Sequence, residues 1–285
     1  MDTKVSGTTK EVIISINRPT VLIGERINPT GKKKLAEALK SGDLEVVRQE
    51  AIAQVAAGAD IIDCNVNTPG VNDVELLPRA VKVIQEAVDA PMCLDSPNAA
   101  AIAAALKVYK GKPLINSVSG EEHSLKRILP LVKEYGAAVV GLVQDDEGIP
   151  KNAERRIAIA HKIVNALEKA GIPREDVVID VLAFAIGAES KSGMDVLESI
   201  RRIREELGVN MTMGASNISF GMPDRPIINN AWVSMVISAG ATALIVDAAK
   251  VRPSILATDL ILGRDRFARR FIEDHRKREQ ALKTQ

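Results

Sequence analysis

Aromatic residues are scarce in this 285-residue chain, at 2%: one tryptophan, two tyrosines and four phenylalanines. Single-stranded nucleic acid is usually held on aromatic stacking platforms, so the scarcity argues against such a partner. An excess of charge of one sign is also missing. The 38 Lys and Arg against 37 Asp and Glu leave a formal net charge of +1, which predicts neither nucleic acid nor an anionic membrane as a partner. Only two cysteines occur, Cys64 and Cys93; they lie far apart in apolar runs without CxxC spacing. That argues against a zinc site or a redox pair and reads them as small core residues. No apolar stretch reaches the roughly 18 residues of a membrane span, and the opening Met1-Asp2-Thr3-Lys4 lacks the apolar segment of a signal peptide. The expectation is a cytoplasmic protein. Gly-rich phosphate loops of the P-loop or dinucleotide-binding kind are absent as well.

What the chain does have is one repeating pattern: a short apolar run, a polar or glycine-containing turn, then an amphipathic helix. The runs fall at 21–24, 61–64, 91–94, 113–116, 138–143, 177–180, 210–214 and 243–247. Short, continuously apolar strands alternating with helices imply a parallel sheet covered by helices. Segments 44–57, 74–88, 152–170 and 194–207 place apolar residues three and four apart, with charges on the other face. Gly58, Gly171, Gly208 and Gly240 stand where helices should stop. Eight such units in a chain of this length predict an α/β fold, a single (β/α)8 TIM barrel, since that fold typically takes about 250 residues. A core of that size needs no disulfide or structural metal.

No Pro/Ser-rich linker divides the chain. The expected organisation is an N-terminal extension over 1–20, the barrel over 21–263 and a charged C-terminal helix over 264–285. Within the extension, 11–20 reads as a small strand covering the barrel bottom.

A parallel barrel carries its active site at the C-terminal ends of its strands, so the residues on which each run ends are the informative ones. They are Glu25, Arg26 and Asn28, then Asp63, Asn65 and Asn67, then Asp95, then Asn116 and Ser117. Gln144 and Asp145, Asp180, Ser216 and Asn217, and finally Asp247 complete the ring. Carboxylates and carboxamides dominate; histidine and lysine are missing. Paired acceptors and donors of this kind suit a flat, nitrogen-rich heterocycle such as a 2-amino-4-oxopterin, whose amino and ring N–H groups donate and whose carbonyl accepts. Helix capping is the plainer explanation for Asp and Asn at βα turns. It fits Asp63, Asp95 and Asp180 poorly, because they stand within or at the end of the apolar run, before the loop.

Carboxylates could instead hold Mg2+ or Mn2+. Against that, no two share a helix at metal-ligand spacing, and none of His123, His161 and His275 ends a strand. No protein-bound metal is expected. The same placement of histidines leaves Ser–His or Cys–His nucleophilic catalysis without support.

The run Gly24-Glu25-Arg26-Ile27-Asn28-Pro29-Thr30-Gly31 resembles the opening signature of the pterin-binding methyltransferases. That family includes the folate-binding domain of cobalamin-dependent methionine synthase and the methyltetrahydrofolate:corrinoid methyltransferases. The resemblance continues through 63–66, Leu94-Asp95-Ser96, Ile115-Asn116-Ser117, Ile179-Asp180, Ser216-Asn217-Ile218-Ser219 and Asp224-Arg225-Pro226, in order over roughly residues 20 to 265.

The resemblance implies that Asp95, Asn116 and Asp180 hydrogen-bond the pterin ring, and that Asn217 lies near N5, the nitrogen that carries the methyl group. Glu25, Asp63 and Arg225 match polar positions around the same pocket, and Asn28 and Ser216 would line it. The implied activity is methyl transfer between tetrahydrofolate (or methyltetrahydrofolate, or a related tetrahydropterin) and a corrinoid, in one-carbon fixation or in a demethylation pathway. An amine leaving group needs a proton or a strong hydrogen bond at N5 by the transition state. Asn217 is therefore expected to contribute most to the chemical step, with Asp63 and Asp95 supporting it through the ring or through water. The sequence lacks the Asp-x-His-x-x-Gly pattern of corrinoid modules, so the corrinoid (cobalamin) is expected on a partner protein docking at the C-terminal face of the barrel. The family also implies a homodimer. Dihydropteroate synthase shares the fold and is the alternative enzyme, but 215–219 lacks the Arg and Lys of its Ser-Arg-Lys motif. A non-catalytic pterin-binding protein is the alternative outside catalysis.

Overall fold

The computed structural model describes residues 1–283; Thr284 and Gln285, the end of the helix expected over 264–285, lie outside the described residues. Ten strands run along the described residues. They are β1 (Asp2–Ser6), β2 (Glu11–Ser15), β3 (Val21–Ile27), β4 (Ile61–Cys64), β5 (Met92–Asp95), β6 (Leu114–Ser119), β7 (Ala138–Leu142), β8 (Val177–Asp180), β9 (Asn210–Thr212) and β10 (Ala243–Val246). The helices are α1 (Lys33–Ser41), α2 (Glu45–Ala56), α3 (Asp73–Ala87), α4 (Ala99–Leu106) and α5 (Glu122–Tyr135). They continue with α6 (Ala153–Lys169), α7 (Ser192–Leu207), α8 (Arg225–Ala239), α9 (Ala248–Ile261) and α10 (Arg269–Lys283).

Strands β3 to β10 form one eight-stranded parallel sheet in the order β10-β3-β4-β5-β6-β7-β8-β9. The ring closes between β9 and β10, where Thr242 N–H reaches Met211 O at 3.0 Å and Ile245 N–H reaches Met213 O at 2.9 Å. This is the expected (β/α)8 barrel, with a strand at each of the eight apolar runs. The helices pack outside because each has one apolar face: α3 buries Leu76, Leu77, Ala80, Val81 and Ile84, at three- and four-residue spacing. Gly58, Gly171, Gly208 and Gly240 all have positive φ, as a residue closing a helix into a turn requires. No helix of the described residues is long and apolar enough to cross a membrane.

The N-terminal extension differs from the single strand expected over 11–20. Glu11–Ser15 pairs antiparallel with Asp2–Ser6, a strand the sequence reading did not mark because two of its five residues are charged. The hairpin plugs the barrel bottom: Val5, Val12 and Ile14 pack on Val21, Ile61, Leu114 and Val178 inside the ring. Asn210, the first residue of β9, ties it down by donating to Thr3 Oγ1 and Ile14 O, both at 2.9 Å. At the other terminus, helix α10 begins five residues later than expected. The Arg252 guanidinium on α9 holds it through Asp274 at 2.8 Å.

Candidate active site

Side chains alternate along a strand, so each barrel strand presents every second residue inward. The inward column begins apolar and ends polar. On β3 it runs Val21, Ile23, Glu25; on β4, Ile61, Asp63; on β5, Cys93, Asp95; on β6, Leu114, Asn116; on β8, Val178, Asp180. The period-two alternation thus places one polar layer at the top of the ring, all at the same end because the strands are parallel. Above it opens a cleft of about 880 Å³.

Glu25, Asn28, Asp63, Asp95, Asn116, Asp180, Ser216, Asn217 and Arg225 all line this cleft, so the sequence-predicted residues come together on one surface. The strand-end residues Asn65, Asn67 and Asp145 do not line it. Asn65 Nδ2 donates to Asp95 Oδ2 at 2.9 Å from the side, and Asp145 pairs with Arg155 on α6 at 2.8 Å.

Burial governs the electrostatics of the floor. Asp63 lies against Asp95, and desolvation together with that neighbour's charge holds its carboxyl well above the usual range; the Asn116 amide, 3.5 Å away, opposes this weakly. Asp95 is pushed up to about 6 by burial, with the Asn65 amide acting the other way. Asp180 is pushed up to about 7, again by burial, although its carboxylate accepts the Leu182 N–H at 2.8 Å and the Gly214 N–H. Glu25 is raised by desolvation, moderated by the Ser216 hydroxyl 3.0 Å from its Oε2. Cys64 and Cys93 are fully buried and burial raises both thiols, in keeping with core roles. Among the described residues no group of three or more His, Cys, Asp and Glu side chains is placed to hold a metal ion.

Asn217 sits at the mouth, in a 3-10 turn (Ala215–Ser219) that follows β9. The turn folds back over Gly214: a Cβ there would lie 2.9 Å from the Asn217 amide nitrogen, so only glycine leaves the amide its place. Arg225, at the start of α8, fixes the turn from behind. Its Nη2 donates to Ser216 O at 2.8 Å and its Nε to Ser219 Oγ at 3.0 Å. Its guanidinium is therefore engaged with the turn, while Asn217, exposed and lining the cleft, makes no side-chain hydrogen bond among the described residues. Asn28 has a local partner too, accepting the Thr30 N–H at 3.0 Å.

Several lining residues escaped sequence reasoning. Lys32 Nζ reaches in to the carbonyls of Arg26 and Glu25 at 2.8 and 3.3 Å, and burial lowers its pKa. Lys250 pairs with Asp247 at 3.2 Å, and His123 and Arg127 line the cleft from one face of α5. Lys32 lay within reach of a sequence reading, seven residues past Glu25. The α5 pair carried no signal, because only the packing of that helix turns it toward the cleft.

Residues 24–247 match the family model described as "Pterin binding enzyme". Over 259 residues the chain is 32% identical to a methylcorrinoid:tetrahydrofolate methyltransferase of Eubacterium limosum, an alignment covering 88% of this chain and 94% of that protein. It is also 32% identical over 246 residues to a methionine synthase of Mycobacterium tuberculosis, covering 82% of this chain and 21% of that longer protein. Among solved structures, a dihydropteroate synthase of Yersinia pestis with a pterine-sulfa conjugate superimposes with a TM-score of 0.68 at 16% identity, covering 90% of this chain and 99% of that one. A dihydropteroate synthase of Xanthomonas albilineans gives a TM-score of 0.64 at 19% identity, covering 92% and 99%. Those two likenesses speak for the barrel alone. The family match and the 32% relative, nearly coextensive with this chain, show that the chain belongs to the pterin-binding enzyme family.

Proposed function

We propose that this protein moves a methyl group, in either direction, between N5 of tetrahydrofolate or a related tetrahydropterin and a corrinoid bound to a separate protein. The observation that carries the reading is the polar last layer of the barrel, Asp63, Asp95, Asn116 and Asp180, with the Asn217 amide free at its mouth. Family membership supports the pterin, and the Eubacterium limosum relative, a methylcorrinoid:tetrahydrofolate methyltransferase by name, supports the reaction class.

A pterin edge-on to this floor finds a partner for each polar atom. The Asp180 carboxylate accepts from the 2-amino group and the adjacent ring N–H, while the Asn116 amide donates to the carbonyl or accepts from a ring N–H. Asp95, steadied by Asn65, takes a further ring donor. Burial makes these contacts strong, because water no longer competes for them. The ring so held points N5 toward the mouth, where the Asn217 amide hydrogen-bonds it. That bond strengthens as charge develops on N5, which favours the transition state over the bound substrate. Burial and the repulsion between Asp63 and Asp95 favour a proton on one of the pair, and that proton supports N5 through the ring or water.

A corrinoid supplies a cobalt centre able to take up or give the methyl group. The rim suits its approach: Phe220, 71% exposed, lines the cleft directly after the turn that carries Asn217 and offers apolar surface there. The partner protein accordingly docks on the C-terminal face of the barrel. The same family resemblance supports a homodimer, which sedimentation would measure.

The test is an anaerobic assay with methylcobalamin and tetrahydrofolate, following the corrinoid absorption. Turnover should require both enzyme and pterin. Asn217→Ala should lower kcat about 100-fold, as for loss of a transition-state hydrogen-bond donor, with the pterin Kd changed by less than about threefold. Equal losses in rate and affinity would remove Asn217 from the chemical step. Absence of tetrahydrofolate binding by calorimetry would overturn the whole reading.

A further inference from the structure

Helix α6 buries one residue that its packing does not call for. Arg156 stands on the apolar face with Ile157, Ile159, Ala160 and Ile163, fully buried at 0% exposure. None of its three guanidinium nitrogens has a hydrogen-bond partner. A leucine there would fill the wall of the barrel without the cost of burying a charge, which is large for an unpaired cation. The guanidinium is instead held in place by shape. The Phe184 ring lies 5.9 Å from its Cζ, and Phe184 is pinned at both backbone groups by Ser192, whose Oγ accepts its N–H at 3.0 Å and donates to its carbonyl at 2.9 Å.

Two carboxylates act on this cation, Asp195 in the first turn of α7 and Asp180 at the end of β8. Asp180 has no other charge of comparable effect. Its in-register neighbours are Leu142 on β7 and Thr212 on β9, neither titratable near neutral pH, and the loop after it offers the Leu182 N–H. Arg156 is the charged group that acts on Asp180, and Asp195 acts on Arg156 as well.

We propose that Arg156 is a positioning residue for the pterin: its guanidinium, locked beneath Phe184, is the fixed counter-charge behind the Asp180 carboxylate when that carboxylate receives the ring's N–H donors. This rests on the pterin-site reading above. The arrangement explains why a charge is kept where an apolar side chain would pack. Without the cation this buried carboxylate would keep its proton to still higher pH and lose half of its acceptor capacity. A direct salt bridge would occupy a further carboxylate lone pair; a cation without a direct bond leaves the lone pairs not used by the Leu182 and Gly214 N–H groups to the ligand and still favours the ionised form.

The sign of the effect is definite. Asp180, already raised to about 7, must ionise to accept two donors, so tetrahydrofolate affinity falls as pH drops through that region. Removing the cation moves the acid limb to higher pH. The experiment is anaerobic calorimetry of tetrahydrofolate from pH 6 to 9 on wild type, Arg156→Met, Arg156→Lys and Asp180→Asn, with Tm measured on each. Arg156→Met should bind about tenfold more weakly at pH 6.5 and within about threefold of wild type at pH 9, a displacement of roughly one pH unit. Its Tm should equal or exceed that of wild type, since an unpaired buried charge is gone. Arg156→Lys keeps the charge and should restore most of the limb. A limb that stays put in Arg156→Met, or a lowered Tm with unchanged pH dependence, would overturn the proposal and leave Arg156 a packing residue. If Arg156→Met does not fold, an unshifted limb together with a lowered Tm in Arg156→Lys overturns it, and a partly shifted limb at wild-type Tm supports it. Asp180→Asn separates the two readings. Wild-type affinity in that variant would sink the pterin site itself, whereas lost affinity there with an unshifted limb in Arg156→Met would sink this inference alone.

Discussion

The two ends of the barrel interior are built by the same strands and solved differently. At the N-terminal end, Val21, Ile61, Leu114 and Val178 meet a hairpin that contributes Val5, Val12 and Ile14, and the polar group there, Asn210, has its amide protons engaged at 2.9 Å. At the C-terminal end, one layer higher, the same columns end on Asp63, Asp95, Asn116 and Asp180, with carboxyls held above their ordinary range because burial outweighs the hydrogen bonds they receive. The lower end is satisfied in the free protein and supplies stability. The upper end is costly in the free protein, and a ligand with matching donors relieves that cost. A buried polar group without enough partners marks the end at which a partner is expected to bind.

Mutations at the two ends should therefore separate binding from stability. The largest effect belongs to Asp180→Asn. Loss of the carboxylate should weaken tetrahydrofolate binding at pH 8 by about 100-fold or more, the scale of breaking charge-assisted hydrogen bonds in a buried site. The same variant should be more stable than wild type. A carboxyl raised from 3.8 to about 7 on folding costs nothing below its unfolded pKa, and its penalty grows as pH rises from about 4 to 7. Asp180→Asn should thus gain on the order of 2–4 kcal/mol at pH 8 and nothing near pH 4, read from denaturant melts at both pH values. A loss of stability at pH 8 would break the contrast between the ends.

Ile14→Ala at the plug is the complementary change. It should cost about 2–4 kcal/mol of stability, as for large-to-small core substitutions, and leave the tetrahydrofolate Kd unchanged. Arg225→Ala tests the support of the mouth. With the bonds to Ser216 O and Ser219 Oγ gone, the turn bearing Asn217 should loosen, lowering kcat about tenfold with little change in Kd. A Kd change as large as the kcat change would make Arg225 a direct pterin ligand. The smallest effect is expected for Glu25→Gln, whose amide can still accept from Ser216; affinity should change by less than about threefold.

Much of this architecture was legible from residue order, for local reasons. Apolar runs of four to six residues separated by amphipathic helices leave few alternatives to a parallel sheet covered on its outer face. Asp63, Asp95 and Asp180 stood out because helix capping explains poorly a carboxylate within or at the end of an apolar run. The first strand of the plug was less visible: Asp2–Ser6 buries Thr3 and Val5 while Asp2 and Lys4 point to solvent, and so short a segment shows its alternation only once a partner strand is known.

The sequence by itself determined the fold and the polar ring, because both follow from periodicity: apolar alternation sets the strands, and parallel strands bring their last residues to one end. Only the tertiary structure decided how those residues are partnered. Arg225 turned out to brace the turn that presents Asn217; Lys32, His123 and Arg127 joined the cleft from loops and a helix face; Arg156 came to rest behind Asp180 from a helix 24 residues earlier in the chain. Burial, and with it the raised carboxyls of Asp95 and Asp180, depends on what long-range packing excludes from a side chain, and no local pattern of residues records that.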